Sequence, residues 1–418
     1  MSAHSSSYAP DARPLDLTKW RNLPLILIVG GVVLAALAGL TGDAKSFGYS
    51  YLLAYVFFLS LPVGALFLVL IHHLFDAAWS VPIRRFCEHI ACLLFPVMAV
   101  LWIPIAVLAP KMYDWMSMTG HPDHALHAKE ALLNKPAWYG LSILIFLIWG
   151  VLTHGLRYWS LKQDETGDAR CTYKMRFYSC WGIFAFALTV TLAIILWVKT
   201  LEHEWFSTMY GVYYFAESVW TALATAYIIT LLLKQTGPLA QVATVRQFHD
   251  IGVLWLAFTV FYAYIHFAQY FIIWNANVPE ETFWYVQREK GSWWDIGMLI
   301  VFGHFFLPFL ALLRIDAKLS LPVMIPLVIW AWLMHFCDAA FNVMPPLLKT
   351  GFGERPQTLG AVFGCIAALG GVLAWVWLKY LRNHPAFPLK DPRMMEALGL
   401  HHPQASEFAV AKYEGIRE

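Results

Sequence analysis

The chain has 418 residues, of which 59% are hydrophobic and only 13% charged. Soluble domains carry about a quarter charged residues, so a water-facing surface of this size could not be coated. The formal net charge of +2 comes with no basic stripe, which argues against a nucleic-acid-binding face and leaves an all-α integral membrane protein as the class.

The N-terminal segment 1–22 is polar and lacks the charged, apolar and small-residue order of a cleavable signal. The first span is therefore expected to act as the insertion signal and to stay in the protein. Apolar runs long enough to cross the hydrocarbon follow at 23–41, 47–72, 86–109, 138–159, 177–198, 211–233, 248–274, 293–313, 319–341 and 359–380. They do not alternate as barrel strands would. Helices pair every backbone group within lipid, so about ten transmembrane helices are predicted. Trp138, Tyr139, Trp197, Tyr213, Tyr214, Trp293 and Trp294 fall near run ends, where aromatic belts are expected.

Placing the N-terminus inside assigns 20 of the 29 Lys and Arg to inner segments and 9 to outer ones. That positive-inside bias puts both termini in the cytoplasm. Two outer loops, 110–137 and 275–292, are long enough to dock a partner or to cap the bundle. The tail 384–418 is polar and is expected on the cytoplasmic face. The six cysteines form no C-x-x-C pair, no C-x-x-C-H haem attachment and no cluster-binding spacing; they read as small residues packed between helices. No P-loop is present.

A short internal echo divides the chain. Arg85-Phe-Cys-Glu88-His89 opens the third span, and Arg246-Gln-Phe-His249-Asp250 opens the seventh. It suggests two four-helix halves, 47–200 and 201–342, as parallel repeats. These are flanked by a first helix with its outer loop (23–46) and by an outer loop with a last helix (343–383).

Ionisable residues inside a membrane are functional candidates by default. An inner set comprises His72, His73, Asp76, Glu88, His89, His154, His249 and Asp250, close enough to predicted helix ends to be hydrated at the interface. An outer set lies deeper. Glu217 is followed at helical spacing by Thr221 and Thr225. Thr259, Tyr262, His266 and Gln269 share a face, as do His335, Asp338 and Asn342, and His304 sits mid-span. Such stripes can line a hydrated cleft that relays protons, or can hydrogen-bond helices together without transport. A pair of b-type haems would need His pairs on one face of two helices. His249 and His266 are seventeen apart and point to different faces, and no second helix carries a matching pair.

Several segments resemble the NrfD-like membrane subunits, in particular that of alternative complex III, the bacterial quinol:electron-acceptor oxidoreductase. They are 55–65 (YVFFLSLPVGA) with His72 and His73, 210–215 (YGVYYF), 248–255 (FHDIGVLW), 264–270 (YIHFAQY) and 274–281 (WNANVPEE). The resemblance implies ten helices with two central four-helix bundles in a bacterial inner membrane. It also implies partners: a multihaem cytochrome c subunit, an iron–sulfur subunit, a second NrfD-like subunit and small membrane anchors. Those partners would carry the c-type haems and iron–sulfur clusters, with no cofactor held by this chain. Quinone is a further ligand that the family admits. In quinol-oxidising members, ionisable residues sit at the outer end of the first bundle. Here that region holds Tyr49, Tyr51, Trp138 and Tyr139, with no carboxylate or His. The expectation is therefore a scaffold subunit with a proton path through Glu217, His266, His304, His335 and Asp338 outward and His72, Glu88, His89, His249 and Asp250 inward. The alternative is an independent secondary transporter or channel.

Overall fold

The computed structural model describes residues 21–117, 124–240 and 242–398, and no strand occurs among them. Nine helices there are long and apolar enough to cross a membrane, or ten if one bent pair is a single crossing. The chain is a multi-pass, all-α membrane protein.

Local signals explain where the helices start and stop. α1 (Leu23–Thr41) and α2 (Ala44–Leu74) are separated by Asp43, whose carboxylate accepts from Ser46 N at 3.2 Å. This caps an otherwise unpaired donor at the start of α2. α3 (Val81–Ala91), α4 (Val97–Leu101) and α5 (Ile103–Met112) follow, then the short α6 (His124–Ala128). α7 (Lys135–Thr166) starts where Asn134 caps Ala137 N at 2.8 Å. It stops at Gly167, whose φ of +69° favours glycine. Asp168 then caps α8 (Ala169–Trp197). α9 (Tyr210–Gln235) is followed by α10 (Val245–Ala276), which opens with a Thr244–Gln247 capping box. α11 (Pro279–Arg288) lies across one end. α12 (Ser292–Leu299), a π-helical stretch (Ile300–Phe306) and α13 (Leu307–Leu313) make one crossing. α14 (Ile315–Leu319), α15 (Leu321–Val343), α16 (Gln357–Asn383) and α17 (Met394–Ala397) complete the chain.

The third crossing differs from the continuous helix expected at 86–109. It is interrupted after Leu94 and again at Trp102, where Val81–Leu101 and Ile103–Met112 meet at a bend of 53°. Pro96, Pro104 and Pro110 each lack the N–H that would continue the ladder. Neighbouring side chains pair carbonyls at the break, as membrane depth requires. Tyr51 donates to Leu101 O at 2.8 Å, Tyr55 to Met98 O at 3.1 Å and His154 Nε2 to Phe95 O at 2.9 Å. His154 thus braces this break.

Long-range contacts sort the loops into two ends. At one end Lys45 meets Asp114 (2.7 Å), Arg288 meets Glu202 (2.9 Å) and Arg355 meets Asp43 (3.4 Å). At the other, Arg85 meets Asp164 (2.6 Å), and Arg176 and Arg393 both meet Asp76 (2.7 and 2.8 Å). α1 and α16 run antiparallel: Gly31 lies against Ala368, Gly364 against Ala35 and Gly371 against Pro24. The start of α1 and the end of α16 therefore share one end, called here the N-side. The flanking helices expected at either end of the chain pack on each other through these small residues, the spacing that lets helix backbones approach in lipid.

α2 is the central post, buried along most of its length and packed against α3, α5, α8, α9, α15 and α16. A Cβ on Gly64 would lie 2.2 Å from Ser218 O, so α2 and α9 cross nearly backbone to backbone. The expected aromatic belt is mostly interior. Trp138, Trp197, Tyr213, Tyr214 and Trp293 are buried, whereas Trp294 is exposed. Their polar atoms explain the difference: Trp138 Nε1 donates to Leu196 O (2.7 Å) and Trp293 Nε1 to Leu348 O (2.5 Å). Cys87, Cys92, Cys171 and Cys365 are buried between helices as expected, while Cys180 is exposed.

Candidate functional site: two buried polar clusters

The deeper cluster is assembled from α2, α9, α10 and α15. Glu217 on α9 and His335 on α15 are both buried, with Nδ1 2.5 Å from Oε1. The other nitrogen of His335 is 2.8 Å from Phe57 O and 2.8 Å from Ser60 Oγ, both on α2. A carbonyl only accepts, so Nε2 carries a hydrogen. Ser60 Oγ itself donates to Phe57 O at 2.8 Å and so can accept from the same Nε2–H. With Nε2–H fixed, one proton lies between Nδ1 and Oε1. It can reside on either atom: a neutral acid beside a neutral imidazole, or a carboxylate beside an imidazolium. A pair of this kind can pass a proton from one member to the other.

Asp338, one turn from His335, extends the cluster. Its Oδ1 accepts from Tyr262 OH at 2.9 Å and from Tyr213 OH. Asn342 Nδ2 donates to Tyr213 OH at 3.2 Å, and Tyr210 OH donates to Asn342 Oδ1 at 3.1 Å. Asp338 Oδ2 has no hydrogen-bond partner among the described residues. His304 lies in the π-helical stretch, its ring centroid 4.0 Å from Trp220 and 3.9 Å from Tyr262. Neither of its ring nitrogens has a partner among the described residues, and the same holds for the buried Thr221 hydroxyl. π-helical turns recur at functional sites because they re-aim a side chain that an α-turn would place elsewhere.

The polar stripe on α10 divides its labour. Thr259 accepts from Trp220 Nε1 at 2.9 Å, and Tyr262 joins Asp338. Gln269 binds Ser207 Oγ and Tyr285 OH at 2.8 and 3.1 Å. His266 packs beside Tyr213 and Tyr262, at 5.4 and 5.8 Å between rings.

The second cluster lies at the N-side, where α2, α3, α7 and the segment 384–398 meet. Arg84 Nε and Arg85 Nε reach the two oxygens of Glu88 at 3.0 and 3.3 Å. Arg84 also pairs with Asp391, and Arg85 with Asp164 at 2.6 Å. Arg84 Nη1 is 3.4 Å from His72 Nε2, and a guanidinium only donates. His72 Nδ1 therefore carries the hydrogen given to Ser80 Oγ at 2.6 Å. His72, His73, Glu88 and His89 are fully buried rather than hydrated at an interface. What excludes water is the segment 384–398, expected simply to lie on a face. Its Asp391 enters the cluster, Leu389 N donates to Asp164 at 2.8 Å, and Ala397 O accepts from Gln247 at 3.1 Å. Burial alone would raise the Asp391 carboxyl, but Arg84 and the hydrogen bonds from Arg393 outweigh it and hold the pKa down at about 2.

Comparison with protein-family models and with curated proteins gives no match to this chain. The site is therefore read from its own chemistry.

His249 and Asp250 join neither cluster. They are partly exposed, 3.3 Å from each other, with Arg246 3.7 Å from Asp250. Sequence reading missed Ser60 and Phe57 O as partners of His335, and Asp164, Asp391 and Arg393 as counter-charges. Every one of these contacts spans tens to hundreds of residues, apart from Arg393 with Asp391. No group of three or more His, Cys, Asp or Glu placed to hold a metal occurs among the described residues. Toward the end opposite the N-side, stacked rings join the third crossing, α7 and α8, with Trp102 on Trp138 at 5.2 Å and Phe146 on Trp197 at 5.3 Å.

Proposed function

We propose that the chain is a membrane subunit of a respiratory quinol:electron-acceptor oxidoreductase of the alternative complex III type, without a redox centre of its own, and that it contributes a proton path. The observation that carries the path is the Glu217–His335 pair. A carboxyl and an imidazole share one proton, fully buried, at the join of the two halves. A merely structural contact between helices needs no ionisable pair, and burying one is costly unless the geometry repays it.

The route this reading assigns runs from Tyr210, Asn342 and Tyr213 through Asp338 to Glu217 and His335. His304 and Thr221 lie about one turn nearer the N-side. Ser60 and His72 are twelve residues apart on α2, about 18 Å along its axis, which sets the interval to the Glu88 cluster. The basic bias makes the N-side cytoplasmic in a bacterial inner membrane. The multihaem cytochrome c and iron–sulfur partners would then face the opposite end, where α11 and the loop before α9 pack together. There Trp205 stacks on Trp284 at 4.6 Å, and the Arg288 side chain is buried beneath. Among the described residues of 47–200 at that end, stacked rings fill the interior and no carboxylate or His is buried, which supports assigning quinol oxidation to a partner.

The test is purification from native membranes in mild detergent, followed by a visible spectrum and mass spectrometry of what co-purifies. Reducible c-type haem with an iron–sulfur partner is expected. A colourless chain that purifies alone and moves solute in liposomes would replace this reading with a secondary transporter.

A further inference from the structure

Among the described residues, Arg157 is a buried guanidinium without a counter-charge. It lies on α7 at 9% exposure, and its Nε has no hydrogen-bond partner. The carboxylates of the N-side cluster are taken by other cations: Glu88 by Arg84 and Arg85, Asp164 by Arg85, Asp391 by Arg84 and Arg393, and Asp76 by Arg176 and Arg393. What meets Arg157 is the face of the Tyr380 ring on α16, 4.0 Å away. A ring face attracts a cation but does not replace a counter-ion for a charge withdrawn from water. Two histidines stand beside this pair. His89 on α3 is fully buried with neither ring nitrogen hydrogen-bonded, and its ring centre is 5.8 Å from Tyr380 and 5.7 Å from His384.

The fold sets these groups in one groove. α3 packs against both α7 and α16, so His89 forms the floor, and the half-buried Tyr380 and His384 form the mouth. The mouth lies at headgroup level: Tyr158, next to Arg157, is exposed, and Lys162 and Lys174 sit over Trp159, the mixture of amphipathic rings and basic groups found at a membrane interface. The third crossing leaves the groove at Phe95, whose carbonyl His154 holds one turn of α7 from Arg157. Beyond that point the surface is apolar, with Val100, Ile103 and Val107 60%, 54% and 71% exposed. An anion that fits this place carries hydrocarbon on one side.

We infer that the groove between α7 and α16 at the N-side seats the phosphodiester head of an anionic phospholipid, with its oxygens on Arg157 and His384 and its acyl chains along the third crossing. The planar fork of Arg157 suits two phosphate oxygens, and basic pockets between membrane helices bind such heads. A zwitterionic choline head fits less well. Its ammonium would lie beside the exposed Lys379 and Arg382, and the Tyr380 face that could attract it is already covered by Arg157. The inference is independent of proton movement and of any partner subunit.

The experiment uses the full chain, delipidated in a neutral detergent. Native mass spectrometry reads bound lipid, and thermal unfolding is the second readout. The probes are phosphatidylglycerol, phosphatidylcholine with the same acyl chains, and inorganic phosphate. One tightly held phosphatidylglycerol per chain is expected, and it should raise the melting temperature where inorganic phosphate does not. Arg157→Met should cut its affinity by about ten- to hundredfold, the worth of a hydrogen bond to a charged group, and abolish the thermal shift. If that variant elutes as aggregate, Arg157→Lys, which keeps the charge and loses the fork, should cut it by about tenfold. Arg382→Gln, an exposed basic neighbour, should change it by less than about twofold, as for a rim charge. Equal affinity for the two lipids, equal protection by inorganic phosphate, undiminished binding in both Arg157 variants, or an equal loss in Arg382→Gln overturns the site. So does a gain of about tenfold when Glu407, Glu414 and Glu418 are changed together to Gln, which would put a tail carboxylate on Arg157 instead.

Discussion

Replacing Asp391 with Asn should release the segment 384–398 from the N-side. The Asp391 side chain is fully buried, paired with Arg84 and 3.0 Å from Arg393 Nε. Its pKa is held at about 2, against about 3.9 for an unfolded Asp. That difference corresponds to roughly 2.5 kcal/mol in favour of the docked state. The sign follows from the depression. The contribution is complete above about pH 4, where an undocked carboxylate is already ionised, and it fades as pH falls toward 2. Removing the charge at pH 7 should therefore raise the undocked population by between tenfold and a hundredfold. Hydrogen exchange of peptides covering 384–398 reads this directly, and trypsin cleavage after Lys390 and Arg393 reads it independently. Asp316→Asn is the control, because its partner Arg314 and Asp316 itself are both exposed and such pairs contribute little. Exchange in Asp391→Asn within threefold of the parent would refute the claim that this ion pair holds the segment down.

Glu217→Ala should lower stability by about 3–5 kcal/mol, the cost of stranding one member of a buried pair. Glu217→Gln keeps an acceptor for His335 and should lose less, which thermal unfolding in detergent can separate. Lys199 is buried at the end opposite the N-side, and burial, with Lys129 nearby, lowers its pKa to about 8. Folding must then discharge it or bear the cost, so stability should rise as pH climbs from about 8 toward 10.5, and Lys199→Met should raise the melting temperature at pH 7 and abolish that rise. Gly364→Leu should separate α1 from α16, because a Cβ there already lies 2.5 Å from Ala35 N. Loss of monodisperse protein, with Gly30→Leu unaffected because nothing lies within 4 Å of its Cβ, is the expected contrast.

Hydropathy made the crossings legible, because an apolar run long enough to span lipid has few alternatives to a helix. The broken third crossing was visible only as three prolines, and which carbonyls Tyr51, Tyr55 and His154 would pair depends on helices packed later in the chain. Helical spacing placed His335, Asp338 and Asn342 on one face, and Tyr262 and His266 near each other on another. It did not reveal that Glu217 meets His335, since those residues are 118 apart. The inner set was harder. Arg84 and Arg85 count toward the basic bias of the inner segments, yet they are buried against Glu88, Asp164 and Asp391. A tail residue cannot be assigned as the counter-ion of a helix 307 positions away from composition or period. His249 and Asp250 show the converse: the motif that echoes Glu88 and His89 lacks buried partners and stays partly exposed.

The proposed role requires the Glu217–His335 pair to move protons rather than only join helices. The measurement that bears on it most directly is the proton-to-electron ratio of the co-purified complex in proteoliposomes, compared for the parent, Glu217→Gln and Glu217→Asp. A ratio that falls in Glu217→Gln and recovers in Glu217→Asp, with electron transfer largely intact in both, is the predicted result. An unchanged ratio in Glu217→Gln, in protein that is folded and still passes electrons, would contradict the proton path.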